Sequence, residues 1–362
     1  MSFTLTGLGT AVPDAVLTLA EGLAVARCFG GPTTQASGFL PAVYGGTGNR
    51  TRYFCIGRDA LADVLAGTRH SGSPFLPADG AADPGPTTGV RLAKYAAAAP
   101  PLALEASRAA LADGDTRPGD VTHLVTVSCT GFAAPGVDHA LIAGLGLRPT
   151  VQRVNVGFMG CHGAINGLRV AHAFASDPAA RVLVCAVELC SLHYHYGDDP
   201  GKVVANALFA DGAAAVVNGP GAGWTLRATG SCVIPDSAAA MGWTVGDHGF
   251  EMTLARAVPG LIARTVRPWL DDWLGSLGLA VDGVGSWCVH PGGPKIVSAV
   301  EEGLGLAPDA LAASRAVFAD YGNMSSPTVL FVLDRLRKLA APRPCVMLGF
   351  GPGLTAEAAV WV

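Results

Sequence analysis

Three pairs of segments recur in the same order along this chain, and that recurrence restricts its fold more than any other feature. The stretch "HLVTVSCTGFAAPG" (123–136), a strand running into a turn, is echoed by "SWCVHPGG" (286–293). The stretch "VNVGFMGCHGAINGLRVAHAF" (154–174), a turn opening into an apolar helix, is echoed by "YGNMSSPTVLFVLDRL" (321–336). The stretch "LFADGAAAVVNG" (208–219), a glycine turn before a strand, is echoed by "GPGLTAEAAVWV" (351–362). Three echoes in register imply two similar α/β halves, residues 1–220 and 221–362.

The apolar patterning agrees with layered α/β structure. A continuous run such as "ARVLVCAVEL" suits a strand buried on both faces, as parallel sheets require. Helical spacing appears in "PLALEASRAALADG" from Pro101, in "VPGLIARTVRPWLDDWLGSL" and in "GPKIVSAVEEGLGL". Between residues 67 and 89 the chain is rich in Pro, Gly and Ser and has no period; a disordered loop is expected there.

Composition narrows the function classes. Half of the 362 residues are hydrophobic and 14% are charged, against about 25% charged in an ordinary globular domain. A formal charge of −4 provides no electrostatic footprint for nucleic acid. No apolar run approaches the roughly 18 residues a membrane helix needs. The opening "MSFTLTGLGTAVPDAV" reads as a first strand and lacks the basic start of a signal peptide. Nine cysteines, an odd number without CxxC spacing, suit a reducing cytoplasm in which most thiols are buried and one or two are reactive.

Cys161, His290 in "WCVHPGG" and Asn323 in "YGNMSSP" stand at the repeated turns. Cys161 sits where a helix begins, and the positive end of a helix favours a thiolate. An imidazole is the usual partner of a cysteine nucleophile. His290 and Asn323 can both donate hydrogen bonds to an oxygen that becomes negative. The set suits acyl transfer through a thioester, with stabilisation of an enolate. A Cys-His-Asn hydrolase has the same chain order, but a papain-like one carries its cysteine near the mature N-terminus in a different motif. No GxGxxG fingerprint follows a strand, so no redox cofactor is expected.

The motifs "GFMGCHGAINGLRVA", "LFADGAAAVV", "VHPGGPKIV", "YGNMSSPTVLFVLD" and "GFGPGLTAE" together resemble type III polyketide synthases, the chalcone synthase-like enzymes, from about Arg50 to the C-terminus. The resemblance implies a thiolase fold, two similar halves in an αβαβα five-layer arrangement, in a homodimer. It implies that Cys161 carries the starter and the growing chain, while His290 and Asn323 promote decarboxylation of malonyl-CoA and stabilise the enolate. His290 would also hold Cys161 as thiolate. Phe209 matches the gatekeeper between the CoA tunnel and the cavity. Thr130, Cys190, Leu192, Met252 and Ser325 fall where the family lines its pocket, and Gly351, Pro352 and Gly353 where it shapes the floor. Arg50 aligns with a residue that meets CoA phosphates, although its basic neighbours are replaced by "YGGTGN". No metal or resident cofactor is implied, and the partners are malonyl-CoA and an acyl-CoA starter.

Departures from the family's pattern refine the expectation. Ala134 in "GFAAPG" stands where plant members often place a methionine that reaches across the dimer. The "FMGC" and "VELCS" segments are closer to bacterial alkylpyrone-forming members, which favours a medium- or long-chain acyl starter, a tunnel past Cys190, and a pyrone or resorcinol-type product. His193 replaces a frequent threonine and is expected to hydrogen-bond a polyketide carbonyl. As a strand, His193-x-His195 would place two imidazoles on one face, but metal binding is disfavoured because no third histidine is near. His162 is expected to point into the protein or toward the dimer partner. The competing reading is a single-condensation β-ketoacyl synthase III-like enzyme on the same fold.

Overall fold

A computed structural model describes residues 3–31, 38–78 and 83–362. In the first half, strand β1 (Thr4–Ala11) precedes a small antiparallel pair, β2 (Ala15–Thr18) with β3 (Thr51–Phe54), which encloses the helices α1 (Leu19–Phe29) and α2 (Phe39–Gly45) and is followed by α3 (Arg58–Ala66). Then follow α4 (Thr88–Asp113), β4 (His123–Ser128), α5 (Val137–Leu145), β5 (Gln152–Gly157), α6 (Gly163–Phe174), β6 (Val182–Leu189), α7 (Pro200–Leu208) and β7 (Asp211–Asn218). In the second half, β8 (Trp224–Val233), the hairpin β9 (Met241–Gly246) with β10 (Gly249–Leu254), α8 (Val258–Ser276) and β11 (Ser286–Val289) come first. The chain closes with α9 (Pro294–Leu304), α10 (Ala312–Tyr321), α11 (Thr328–Lys338), β12 (Cys345–Gly351) and β13 (Thr355–Trp361).

The main strands lie in the order β11-β12-β13-β8-β1-β7-β6-β4-β5. Moving outward from β1, the pairings with β7, β6 and β4 are antiparallel, antiparallel and parallel. Moving outward from β8, the pairings with β13, β12 and β11 follow the same sequence. Each echoed segment therefore occupies the same place in its half. A short antiparallel contact of Thr4 and Leu5 with Trp224 and Thr225 joins the two sets.

Alternation along the strands divides the core into layers. On β6, Val182, Val184 and Ala186 face the cluster built on Ile165 and Leu168 of α6 and Leu330 and Leu333 of α11. Leu183, Cys185 and Val187 face the opposite cluster, with Ala99, Ala103, Ala106 and Ala110 of α4. On β12, Cys345 and Met347 face the central helices, while Val346 and Leu348 face Ile262 and Val266 of α8 and Val297 and Val300 of α9. The result is five layers, αβαβα. Truncating a fully buried central residue such as Leu168 should cost about 2–5 kcal/mol.

Two expectations from sequence need correction. Helix α4 begins at Thr88 and runs through Pro100 and Pro101, thirteen residues before the expected start at Pro101. The prolines are tolerated because the long alanine face of α4 is held by the sheet: a Cβ on Gly9 of β1 would lie 2.4 Å from the carbonyl oxygen of Ala106. The loop expected to be disordered is ordered over its described residues. Asp63 accepts from the backbone N–H groups of His70 (3.0 Å) and Ser71 (2.7 Å), and Phe75 and Leu76 are buried. Residues 79–82 of that stretch lie outside the described residues.

Candidate active site

The central helices bring the site together. Cys161 lies in a 3-10 turn, Gly160–His162, that leads into α6, so it precedes the helix by two residues. Gly160 has φ of 72°, and a Cβ there would meet the Pro352 ring at 2.3 Å. Only glycine satisfies both demands. Asn323 lies in the corresponding loop of the second half, before α11 (Thr328–Lys338). Its loop is tied to Phe209: Asn323 N–H donates to Leu208 O (2.9 Å) and Ala210 N–H to Asn323 O (2.8 Å). The Asn323 amide is oriented from both ends. Its Oδ1 accepts from Ser325 N–H at 2.8 Å, and its Nδ2 donates to Gly292 O at 3.2 Å. The same Nδ2 reaches Cys161 Sγ at 4.0 Å.

His290 directly follows β11, two residues before that Gly292, and is 1% exposed. Neither of its ring nitrogens has a hydrogen-bond partner within the described protein. Buried polar atoms are nearly always paired, so an orphaned imidazole points to a role filled by something that binds. Burial, and then His162, push the His290 pKa down to about 3. Burial pushes the Cys161 thiol up to about 11, opposed by hydrogen bonds from Ser325 and Asn323. The free site therefore favours a neutral imidazole, and the expected standing thiolate held by His290 is not what burial alone produces.

His162 points into the protein. Its Nδ1 pairs with Asn166 Oδ1 at 2.7 Å, Asn166 Nδ2 donates to Glu357 Oε1 at 3.1 Å, and Glu357 forms an ion pair with Arg169. His193 differs from expectation. Cys190–His193 is a 3-10 turn after β6, not a strand. His193 Nδ1 accepts from Phe250 N–H (2.9 Å), which places the proton on Nε2, and Nε2 donates to Thr130 O (2.6 Å). Both nitrogens are committed to the backbone, and burial holds the ring neutral, with its pKa near 4. It is unavailable to a polyketide carbonyl or a metal.

A buried carboxylate that the sequence reading missed organises the other side. Glu188, with no exposed surface, accepts from Cys129 N–H, Thr130 N–H, Thr130 Oγ1, Ser128 Oγ and Ser326 Oγ. Thr130 Oγ1 also accepts from Leu189 N–H at 2.8 Å, so its one donor hydrogen is committed to Glu188 and one of its lone pairs to the backbone. The acidic residue is the penultimate one of an apolar strand, a signal that could have drawn attention.

Two adjoining cavities lie here, and the inner one is lined by Cys161. The inner one, about 20 Å³, is bounded by Cys161, Thr130, Ser325, Pro352, Met241 and a shared wall. The outer one, about 320 Å³, includes Lys202, His195, Tyr194, Phe250 and Glu251. The wall common to both is Cys190, Phe209, Trp243 and Met252. Cys190, Phe209, Met252, Ser325 and Pro352 therefore stand where expected. Gly351 packs against His162, and Gly353 N–H donates to Met241 O, so they shape the floor through their backbone. Leu192 does not line either cavity: it is fully buried in the cluster with Tyr95 and Leu141, because the turn after β6 directs it outward from the site. Arg50 is 68% exposed at its side chain and bound to Asp320, away from both cavities.

Comparisons with known proteins fit this geometry. Residues 77–222 match the N-terminal domain of chalcone and stilbene synthases and 225–362 the C-terminal domain. Bisdemethoxycurcumin synthase of Oryza sativa subsp. japonica is 41% identical, over 75% of this chain and 73% of that enzyme. The alpha-pyrone synthesis polyketide synthase-like Pks18 of Mycobacterium tuberculosis is 36% identical, over 71% of this chain and 69% of the other. Among solved structures, PKS-I of the brown alga Ectocarpus siliculosus superposes with a TM-score of 0.89 at 33% identity, covering 99% of this chain and 98% of that one. The chain thus belongs to the chalcone and stilbene synthase family and is a type III polyketide synthase.

Proposed function

We propose that Cys161, His290 and Asn323 carry out iterative decarboxylative condensation of malonyl-CoA onto an acyl-CoA starter. The observation that carries this reading is the orphaned His290 imidazole beside an asparagine that is aimed at Cys161 Sγ. Cys161 sulfur attacks the starter thioester and expels CoA, which takes the thiol proton through His290. Malonyl-CoA then loses carbon dioxide, and its thioester oxygen takes up negative charge as the enolate. A neutral His290 and the Asn323 amide donate hydrogen bonds to that oxygen. The enolate carbon attacks the Cys161 thioester, forms the new bond and releases Cys161 as thiolate. That thiolate then attacks the lengthened CoA thioester and expels CoA, which returns the chain to Cys161. No resident cofactor takes part; CoA thioesters are the substrates.

The finer assignments are ours as well. The division into halves at 220/221 matches the repeated strand order. A homodimer is favoured by edge strand β5, whose residues are exposed but for a half-buried Val156, and by the exposed Phe132, Phe158 and Met159 beside it. A cytoplasmic setting suits nine free cysteines. Release as a pyrone follows the likeness to Pks18, and a resorcinol-type product is the second outcome of the sequence reading; other relatives are named for different products, among them the 1,3,6,8-tetrahydroxynaphthalene synthase of Streptomyces peucetius subsp. caesius. The medium- or long-chain acyl starter, with its tunnel past Cys190, is kept from the sequence reading, and Cys190 lines the inner cavity.

Mass spectrometry of products from malonyl-CoA and a ladder of acyl-CoA starters tests the reading. Triketides or longer products support it. A single-extension β-ketoacyl product from every starter would move the chain to the β-ketoacyl synthase III-like alternative.

A further inference from the structure

We propose that His162 is a positioning residue: by tying the Cys161 turn to the strands of the second half, it holds the nucleophile in place against His290 and Asn323. This rests on the reading of Cys161 as the acyl carrier and names the residue that sets its place.

The three reacting side chains come from both halves, Cys161 from the first and His290 and Asn323 from the second. Their spacing therefore depends on what joins the halves near the nucleophile. A thiol is a weak hydrogen-bond partner, and Asn323 Nδ2 stands 4.0 Å from Cys161 Sγ. The sulfur's place is thus set mainly by its backbone turn. The next side chain in that turn, His162, enters the second half.

A row of three residues receives it. Across β12, β13 and β8, Gly349 lies opposite Glu357, and Glu357 opposite Ser231. A Cβ on Gly349 would lie 3.3 Å from His162 Cβ, and one on Gly351 would lie 2.6 Å from His162 Nε2. The two glycines therefore let the imidazole wedge directly against the β12 backbone. Glu357, 2% exposed, accepts from Ser231 Oγ at 2.9 Å and from Asn166 Nδ2 at 3.1 Å, and pairs with Arg169. Because the Asn166 amide nitrogen donates to that carboxylate, its Oδ1 faces His162 as an acceptor. His162 Nδ1 supplies the proton of the 2.7 Å bond between them. Burial holds this imidazole below its ordinary pKa, so the ring is neutral and that N–H is the one it has.

The same strand also places His290. Its N–H donates to Leu348 O at 2.8 Å, and Leu348 is the neighbour of Gly349. One stretch of β12 therefore fixes His290 through a backbone bond and Cys161 through His162. Loss of the Nδ1 bond frees the Cys161 turn against β12, while Asn323 keeps its own bonds to Ser325 and Gly292.

That asymmetry supplies the test. Condensation needs all three side chains aligned, whereas decarboxylation of malonyl-CoA needs His290 and Asn323 alone. His162→Leu, which donates to nothing, should lower kcat for polyketide formation by about 10- to 100-fold, the scale of loss that small misplacements of reacting groups produce. Its KM for malonyl-CoA, and its carbon dioxide release from malonyl-CoA without starter, should stay within about threefold of wild type. His162→Gln can still donate to Asn166 four residues on and should recover most of the lost rate, which guards against a leucine variant that folds badly. Decarboxylation that falls in step with condensation would overturn the proposal, as would equal impairment of the Gln and Leu variants or unchanged condensation in both. Alkylation of Cys161 by iodoacetamide, followed by mass, separates the proposal from the function it rests on. Suppose the wild type makes polyketides from no starter, yet alkylation still slows in His162→Leu and returns in His162→Gln. That result would remove the catalytic reading and leave the positioning role standing.

Discussion

The ends of β4 and β11 are equivalent positions in the two halves, and they are finished in opposite ways. Beyond β4, Ser128, Cys129 and Thr130 turn over a buried carboxylate, Glu188, which takes five donors. Beyond β11, His290 is just as buried and has no partner at either nitrogen. A satisfied polar network fixes structure, whereas an unsatisfied group keeps its hydrogen bonds for a ligand. One half therefore supplies a rigid socket and the other supplies the open chemistry. Ser326 bridges them, because it follows Asn323 in the second half and donates to Glu188 in the first at 2.6 Å.

That contrast can be broken at its strongest point first. Cys161→Ala should abolish polyketide formation while slow malonyl-CoA decarboxylation persists, measured as carbon dioxide release. His290→Gln should lower decarboxylation by about 10²–10³-fold with a melting temperature close to wild type, because the lost imidazole bonded to nothing in the protein. Glu188→Ala should do the reverse and destabilise folding by roughly 3 kcal/mol or more in a urea titration, since five buried donors lose their acceptor. Equal stability losses at His290 and Glu188 would remove the distinction between the two strand ends.

The pH dependence sharpens the same comparison. An ordinary histidine charges near about 6.5, but burial holds His290 down to about 3. A depressed histidine remains neutral as pH falls, so kcat/KM should show no histidine limb between about pH 8 and about pH 5.5. An acid limb centred near about 6.5 would mean that the imidazole is charged in the free enzyme. The smallest effect is expected at Arg50→Ala. Its exposed pairing with Asp320 is of a kind worth about 0–1 kcal/mol, and KM for malonyl-CoA should change by less than about threefold.

Much of this was legible in the sequence where one short motif carries both position and chemistry. Cys161, His290 and Asn323 each sit in a turn fixed by local glycines, and the halves show through because β7 and β13 repeat the same apolar run. What stayed hidden depends on partners distant in the chain. Trp243 is one aromatic residue on a short hairpin, and its place in the cavity wall comes from the Cys129 carbonyl and from His193. His193 read as a pocket donor because nothing nearby reveals that Thr130 and Phe250 occupy both its nitrogens. Leu192 read as a pocket residue by resemblance to the family's lining positions, and only the fold shows it buried with Tyr95 and Leu141. The prolines of α4 masked a helix that tertiary packing sustains.

The most direct test of the central claim is peptide-level mass spectrometry of Cys161 during turnover with malonyl-CoA and acetyl-CoA, quenched in acid. The account predicts that the Cys161 peptide carries the starter acyl group and, later, acyl chains lengthened by one and two ketide units. A Cys161 peptide that stays unmodified while product accumulates would contradict it.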